Sequence, residues 1–226
     1  CRRPAPQDCR PPGMMPDMPF ADFVYQGSPQ RVLFGRGTLD RAAEETERLG
    51  MKRVLVLATG GRRGDAEAVA ARLGGRAAGI FADAMMHTPV AVTEAALRAV
   101  ATLGADGTLA LGGGSTTGLG KAIAWRTDLP QVVVPTTYAG SESTDILGET
   151  RDGRKTTVRD RKILPETVIY DVDLTLGLPV AVSVASGMNA LAHAVEGLYA
   201  QDRNPVLSLM AAEAIRLLAV ALPAIA

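Results

Sequence analysis

From Arg31 to Tyr170 the chain alternates short β-rich runs with stretches of helical periodicity, and no other feature narrows its fold as far. Arg31 to Phe34, Arg53 to Ala58, Ala77 to Phe81, Thr108 to Leu111 and Gln131 to Val134 read as strands. Leu39 to Leu49, Asp65 to Leu73, Val90 to Leu103 and Thr116 to Trp125 read as the helices between them. A helix after each strand is the connection that parallel neighbours require, so the expected class is α/β, a mostly parallel sheet covered by helices on both faces. Thr38 is placed to cap the first helix, Gly50 to end it, and Pro89 to stand where the third begins.

After Pro135 the rhythm changes. Ile146 to Thr150 and Lys155 to Val158 flank Arg151-Asp152-Gly153-Arg154, whose Asp-Gly pair signals a hairpin turn. One more strand, Thr167 to Tyr170, precedes two helix patterns at Val180 to Ala200 and Val206 to Leu222. This divides the chain into an α/β unit over 20–173 and the start of an α-helical unit over 174–226. In the last helix Val206, Leu207, Leu209, Met210, Ile215, Leu217, Leu218, Val220 and Leu222 take up most of the circumference. A helix apolar on so many sides belongs inside a larger core, which two helices cannot supply to each other, so the helical unit reads as incomplete or as covered by another chain.

Residues 1–19 hold six prolines among Arg, Asp and Gln, a composition too poor in apolar surface to offset ordering, and read as a disordered tail foreign to the fold. Met14, Met15 and Met18, within it and just before the first folded-looking segment, are candidate starts. Both cysteines, Cys1 and Cys9, fall in that tail, so the folded part has neither a disulfide framework nor a thiolate metal site. The 24 basic and 24 acidic residues balance, and aromatic residues are few, which leaves no basic stripe for nucleic acid or anionic lipid. No stretch reads as a membrane span and no secretory signal is visible, so the expected setting is the cytoplasm.

The strand Thr108 to Leu111 runs into Gly112-Gly113-Gly114-Ser115-Thr116-Thr117 and then a helix. Glycines at such a junction let backbone N–H groups approach a pyrophosphate at the positive helix end, which makes a dinucleotide the first ligand to consider. The run departs from the dinucleotide fingerprint at Thr117, and Gly120-Lys121 departs from a Walker loop at Ser115 and Ala122. A tight turn that only permits close packing is the competing reading. Thr136, Thr137 and Ser141 follow the next strand at its C-terminal end, where open parallel sheets place ligands; their hydroxyls suit a nicotinamide ribose or amide, or else cap nearby backbone. After Val54 to Ala58 stand Thr59-Gly60-Gly61-Arg62-Arg63, with no carboxylate to repel a 2′-phosphate, so NADPH is expected to serve alongside NADH. The arginines also fit a solvent-facing turn.

Only two histidines exist. His193 lies one helical turn after Asn189, so the two share a face; Asp at 189 would make half a metal site, whereas Asn removes a charge and a hard ligand. His87, before Thr88-Pro89, reads as structural, with the cleft as the lesser alternative.

Taken together, Gly112-Gly113-Gly114-Ser115, the loop Pro135 to Glu142, and Ser186-Gly187-Met188-Asn189-Ala190-Leu191-Ala192-His193 resemble the iron-containing alcohol dehydrogenase family. Within it the chain is most similar to the maleylacetate reductases, through Phe23-Val24-Tyr25, Gly114 to Lys121, Thr136 to Glu142, and Leu164-Pro165 through Leu178-Pro179. The likeness spans about residues 20–226 and implies a Rossmann-like nucleotide-binding unit, a helical unit, and a reaction site between them. It assigns NADH or NADPH to Gly112, Gly113, Gly114, Ser115 and Thr116 at the pyrophosphate, to Thr136, Thr137 and Ser141 on the nicotinamide side, and to Lys155 on the hairpin. Metal-using relatives carry Asp where this chain has Asn189, and many of the alcohol dehydrogenases carry Asp where it has Gly118. The resemblance thus implies a reductase that needs no metal, with His193 and Asn189 as catalytic residues and a small dicarboxylate as substrate; a homodimer is also expected. Relatives extend past the point corresponding to Ala226. A metal-dependent alcohol dehydrogenase and a non-catalytic fragment are therefore the alternatives.

Overall fold

A computed structural model describes residues 22–225, so the expected tail over 1–19 lies outside the described residues. The strands are β1 (Arg31–Gly35), β2 (Val54–Leu57), β3 (Ala77–Phe81), β4 (Gly107–Gly112), β5 (Gln131–Pro135), β6 (Ile146–Arg151), β7 (Arg154–Arg159) and β8 (Thr167–Asp171). The α-helices are α1 (Ala42–Arg48), α2 (Arg63–Leu73), α3 (Val90–Leu103), α4 (Gly114–Thr127), α5 (Val180–Tyr199) and α6 (Pro205–Ile225). Six strands form one parallel sheet in the order β1-β8-β5-β4-β2-β3. The hairpin β6-β7 stands apart and turns at Asp152-Gly153, both left-handed, as the Asp-Gly signal requires.

Alternation along the central strands builds two cores at once. Val54, Val56, Leu109, Leu111, Val132 and Val134 face α1 and α2, packing with Ala42, Ala66, Val69 and Leu73. Leu55, Leu57, Ala110 and Val133 face the other way onto Ala96, Val100, Leu119 and Ile123 of α3 and α4. Such two-sided burial is why these strands read as continuous apolar runs. Helix α4 is enclosed further, because Ala122 packs with Leu147 and Ile163 under the hairpin. Gly120 permits its approach to the sheet, since a Cβ there would sit 3.3 Å from Gln131 Oε1.

Two local expectations are corrected. Thr38 does not cap the first helix: its hydroxyl donates to the carbonyls of Gly35 and Tyr170, and a 3₁₀ turn over Thr38–Arg41 leads into α1. The cap comes from across the chain, where the Asp171 carboxylate accepts from the backbone N–H groups of Gly37 (3.1 Å) and Leu39 (3.0 Å). The second concerns membrane spans. Helix α6 is, by length and composition, long and apolar enough to cross a membrane, and only 6% of its most apolar stretch is buried among the described residues. Glu213 and Arg216, paired at 2.7 Å, break the apolar run in sequence without breaking the helix.

Candidate functional site

The sheet reverses its winding between β2, which leads outward to β3, and β4, which leads the other way to β5. The C-terminal ends of two such strands leave a crevice, the usual ligand position in open parallel sheets. Gly112 ends β4 there with φ 151°, and a Cβ would run into Thr116 Oγ1. At Gly113 a Cβ would lie 2.8 Å from Thr137 Oγ1. The loop is thus shaped by the absence of side chains. Thr136 N–H donates to Gly112 O at 3.0 Å, tying the loop after β5 to the glycine loop. Helix α4 starts at Gly114, and the amides of Thr116 and Thr117 both turn back to Gly113 O, at 3.1 Å. Its first two amides, Gly114 and Ser115, have no partner within the helix and stand at its positive end.

These groups open into a cleft of about 360 Å³ lined by Gly114, Ser115, Gly118, Ser141 and, from the hairpin, Gly148 and Lys155. Lys155 pairs with Thr150 in the hairpin register, and its Cε would lie 2.9 Å from a Cβ on Gly148, so it crosses that glycine. A second cleft of about 340 Å³ lies beyond the loop after β5, lined by Pro135, Thr137, Tyr138, Glu142 and Tyr170. Tyr170 donates to the buried Glu142 carboxylate at 3.0 Å, and burial pushes its phenol up to about 12, so it stays a neutral donor. Thr116 and Thr136 line neither cleft. Both are buried with Oγ1 lacking a protein hydrogen-bond partner, Thr116 beneath Gly112 and Thr136 beside it in sequence contact with β5.

The structure does not bring the two helical candidates to these clefts. Asn189 and His193 lie on an exposed face of α5, and His193 Nδ1 faces Glu196 Oε2 of the next turn at 3.1 Å. Among the described residues no group of three or more His, Cys, Asp or Glu is placed to hold a metal. Arg62 is engaged by Asp65 at 2.9 Å, while Arg63 is exposed beside it.

Several cleft residues escape sequence reasoning. His87, read as structural with the cleft as the lesser alternative, lines the first cleft together with Met86 and Thr88. His87 and Thr88 both hold positive φ, 65° and 46°, a strained arrangement for residues with side chains, and strain of that kind collects at functional sites. Thr88 Oγ1 occupies the place a Cβ on Gly118 would need, which accounts for a glycine there. Lys121 is fully buried at the base of the cleft; the sequence shows it only as a lysine out of register for a Walker loop.

Comparison with known proteins agrees with this architecture. The family model described as iron-containing alcohol dehydrogenase matches residues 29–172, and one described as the C-terminal part of the Fe-containing alcohol dehydrogenase family matches 183–226. A maleylacetate reductase of Rhizobium sp. strain MTP-10005 is 61% identical over 203 residues, covering 90% of this chain and 58% of its own. One from Sphingobium indicum is 57% identical over 203 residues, covering 90% and 57%. The crystal structure of maleylacetate reductase from Agrobacterium tumefaciens superposes with a TM-score of 0.89 at 59% identity, over 91% of this chain and 59% of that one. The chain therefore spans a little over half the length of the relatives it matches. With the sheet, the glycine loop and both family models in agreement, the chain belongs to the iron-containing alcohol dehydrogenase family.

Proposed function

We propose that this chain carries the cofactor-binding part of an NAD(P)H-dependent maleylacetate reductase, which reduces the carbon–carbon double bond of maleylacetate to give 3-oxoadipate in the breakdown of aromatic compounds. One conjunction carries the reading: a cleft fit for phosphate at the sheet's switch point, in a chain 61% identical over 203 residues to a protein of that name. In this reading residues 20–173 form the nucleotide-binding unit and 174–226 begin the helical one. The partner is a small dicarboxylate in the cytoplasm, with no nucleic acid or membrane involved, and the protein is a homodimer.

The residues fit a dinucleotide. Gly112 and Gly113 let Thr116 and Thr137 pack close against the turn, and the amides of Gly114 and Ser115, which have no partner within the helix, suit pyrophosphate oxygens. Ser141, Thr137 and Lys155 border the two clefts on either side of the loop after β5, the direction expected for the nicotinamide end. Arg63 stands exposed where a 2′-phosphate is tolerated, which supports use of both cofactors. Held by these residues, a reduced nicotinamide would supply hydride for the substrate carbon β to the ketone. The double bond's electrons would then move onto the ketone oxygen as an enolate. In the completed protein His193, assigned by likeness, would polarise that oxygen or give the proton that completes the adjacent carbon, with Asn189 positioning the imidazole; in this chain both stand on an exposed face of α5.

Iron, named in the family description, is a separate question. Asn189 offers a neutral amide and His193 one imidazole, and the described residues supply no further cluster, so they do not make up a metal site. Metal independence is part of the proposal, supported by the amide at Asn189.

The test is NADH and NADPH oxidation with maleylacetate in the presence of a chelator, comparing this chain with a version completed by the C-terminal residues of the Rhizobium relative. Turnover by the completed protein is expected. A folded completed protein that oxidises neither cofactor with maleylacetate overturns the substrate reading, and one that needs iron restored overturns metal independence.

A further inference from the structure

Lys121 is the one fully buried lysine among the described residues, and the chemistry above gives it no part. It sits two turns into α4, below the cofactor end of that helix. Its Nζ reaches out of the helix into the loop that separates the two clefts, donating to the backbone carbonyl of Ser141, to Thr144 Oγ1 at 3.0 Å and to Ile146 O at 3.0 Å, with Ser141 Oγ at 3.4 Å. One ammonium group therefore holds both ends of a six-residue span. At one end is Ser141, which borders the cleft; at the other is Ile146, the first residue of the hairpin that carries Lys155.

Taking the dinucleotide reading of the cleft as its premise, we propose that Lys121 is a positioning residue that sets how closely Ser141 and the hairpin stand over the bound cofactor, and so governs nucleotide affinity rather than the chemical step. An apolar side chain of equal length would fill the same space more cheaply, since a buried ammonium must surrender its hydration. What the lysine adds is three donors converging on one loop, where they join the Ser141 carbonyl, which Thr144 Oγ1 also reaches at 3.1 Å, to Thr144 Oγ1 and the Ile146 carbonyl. The carboxylates facing it are Glu142 and Asp145 of the loop. Neither bonds it: Glu142 accepts from Tyr170, and Asp145 meets Arg159 at 3.7 Å. Lys155 and His87 share the cleft as further charged or titratable groups. Burial lowers Lys121 to about 8, so the third donor is lost within an accessible pH range.

The experiment measures NADH affinity by fluorescence, and kcat with maleylacetate, on the completed protein and its Lys121→Met, Lys121→Arg and Thr144→Val variants. Thr144→Val removes one acceptor while leaving the lysine in place, so it carries the test if Lys121→Met fails to fold. Loss of a charge-assisted bond predicts a Kd for NADH raised about tenfold or more in Lys121→Met and severalfold in Thr144→Val, with kcat at saturating cofactor little changed. Wild-type affinity should also weaken as pH rises through about 8, a break that Lys121→Met lacks. Variants that bind NADH as wild type does, or that lose kcat with Kd intact, overturn the proposal alone. A folded wild-type protein that binds neither NADH nor NADPH overturns the dinucleotide reading and this proposal with it.

Discussion

Helices α4 and α6 are both rich in apolar residues, yet they lead opposite lives. Thr116 to Ala124 of α4 are buried without a break, between the sheet on one side and the hairpin on the other. In α6 only Ala211 is buried, while Leu209, Met210 and Val220 stand well exposed. What α6 and α5 touch is mostly each other, with Gly187 giving way to Leu222 where they cross. An apolar helix thus announces that it will be covered, but not by what. For α4 the cover is written nearby in the sequence, in alternating strands and a hairpin; for α6 it is not among the described residues.

That contrast can be strained from its strongest effect downward. On the helical side, His193→Ala in the completed protein should slow maleylacetate turnover by about 10²- to 10⁴-fold, as loss of a general acid does, and leave NADH binding intact. Wild-type turnover in that variant would remove His193 from the mechanism. On the sheet side, Ile123→Ala empties part of a closed core, and denaturant unfolding should show a loss of about 2–5 kcal/mol. A loss under about 1 kcal/mol would mean that α4 repacks freely, against its enclosure on both sides.

Glu149 probes the hairpin's hold on the same helix. It is buried, accepts from Arg126 at 2.8 Å and from Thr93 Oγ1 at 3.2 Å, and so ties β6 to α4 and α3. Because Arg126 is partly exposed, Glu149→Gln should cost about 1–3 kcal/mol and weaken NADH binding through the displaced hairpin. Stability lost with affinity unchanged would show that the hairpin's position does not matter to the cleft.

Lys121 adds a pH signature. Its folded value lies below its ordinary one, so between about pH 8 and 10.5 the unfolded chain holds a proton that the folded chain has released. Unfolding free energy therefore rises with pH across that window, as the cost of burying the charged ammonium, present in full below it, is relieved. Chemical denaturation in Lys121→Met should lack the rise; an equal slope in both proteins would assign it to another group. Least affected of all, Leu209→Ala should shift the stability of this chain by no more than about 0.5 kcal/mol, and by clearly more in the completed protein, where the exposed face acquires a cover. Equal effects in the two lengths would show that the face stays open.

Much of the sheet was legible because its signals are local. Val90–Leu103 is helical over the span its periodicity indicates, with Pro89 just before it, and the Asp152-Gly153 turn follows from residues that tolerate positive φ. The parts that escaped are those in which distant segments meet. Asp171 caps the turn at Gly37 and Leu39 from more than a hundred residues away, and no window around Thr38 contains that carboxylate. Lys121 looks like a surface lysine until the loop from Ser141 to Ile146 closes over it. The same holds for His87, whose left-handed backbone no residue type announces. Of the proposed site, the glycine loop, Ser115 and Ser141 could be named from sequence because small residues mark them, whereas Lys155 could be named only by likeness. Asn189 and His193 could be named only by likeness, and they stand away from both clefts.

The pairing of β1 with β8 has a consequence for the chain as it is made. Strand β1 lies at the sheet's edge and its one neighbour is β8, with Arg31 opposite Thr167. At roughly 5–20 residues per second of synthesis, about 7–28 seconds separate the emergence of the first strand from that of its partner. Through that interval Val32 and Phe34 have neither ladder nor cover, and even in the finished sheet they remain exposed. The segment that leaves the ribosome first among the strands is thus the last to find its place, and its exposure to stray β-pairing is set by the length of everything between.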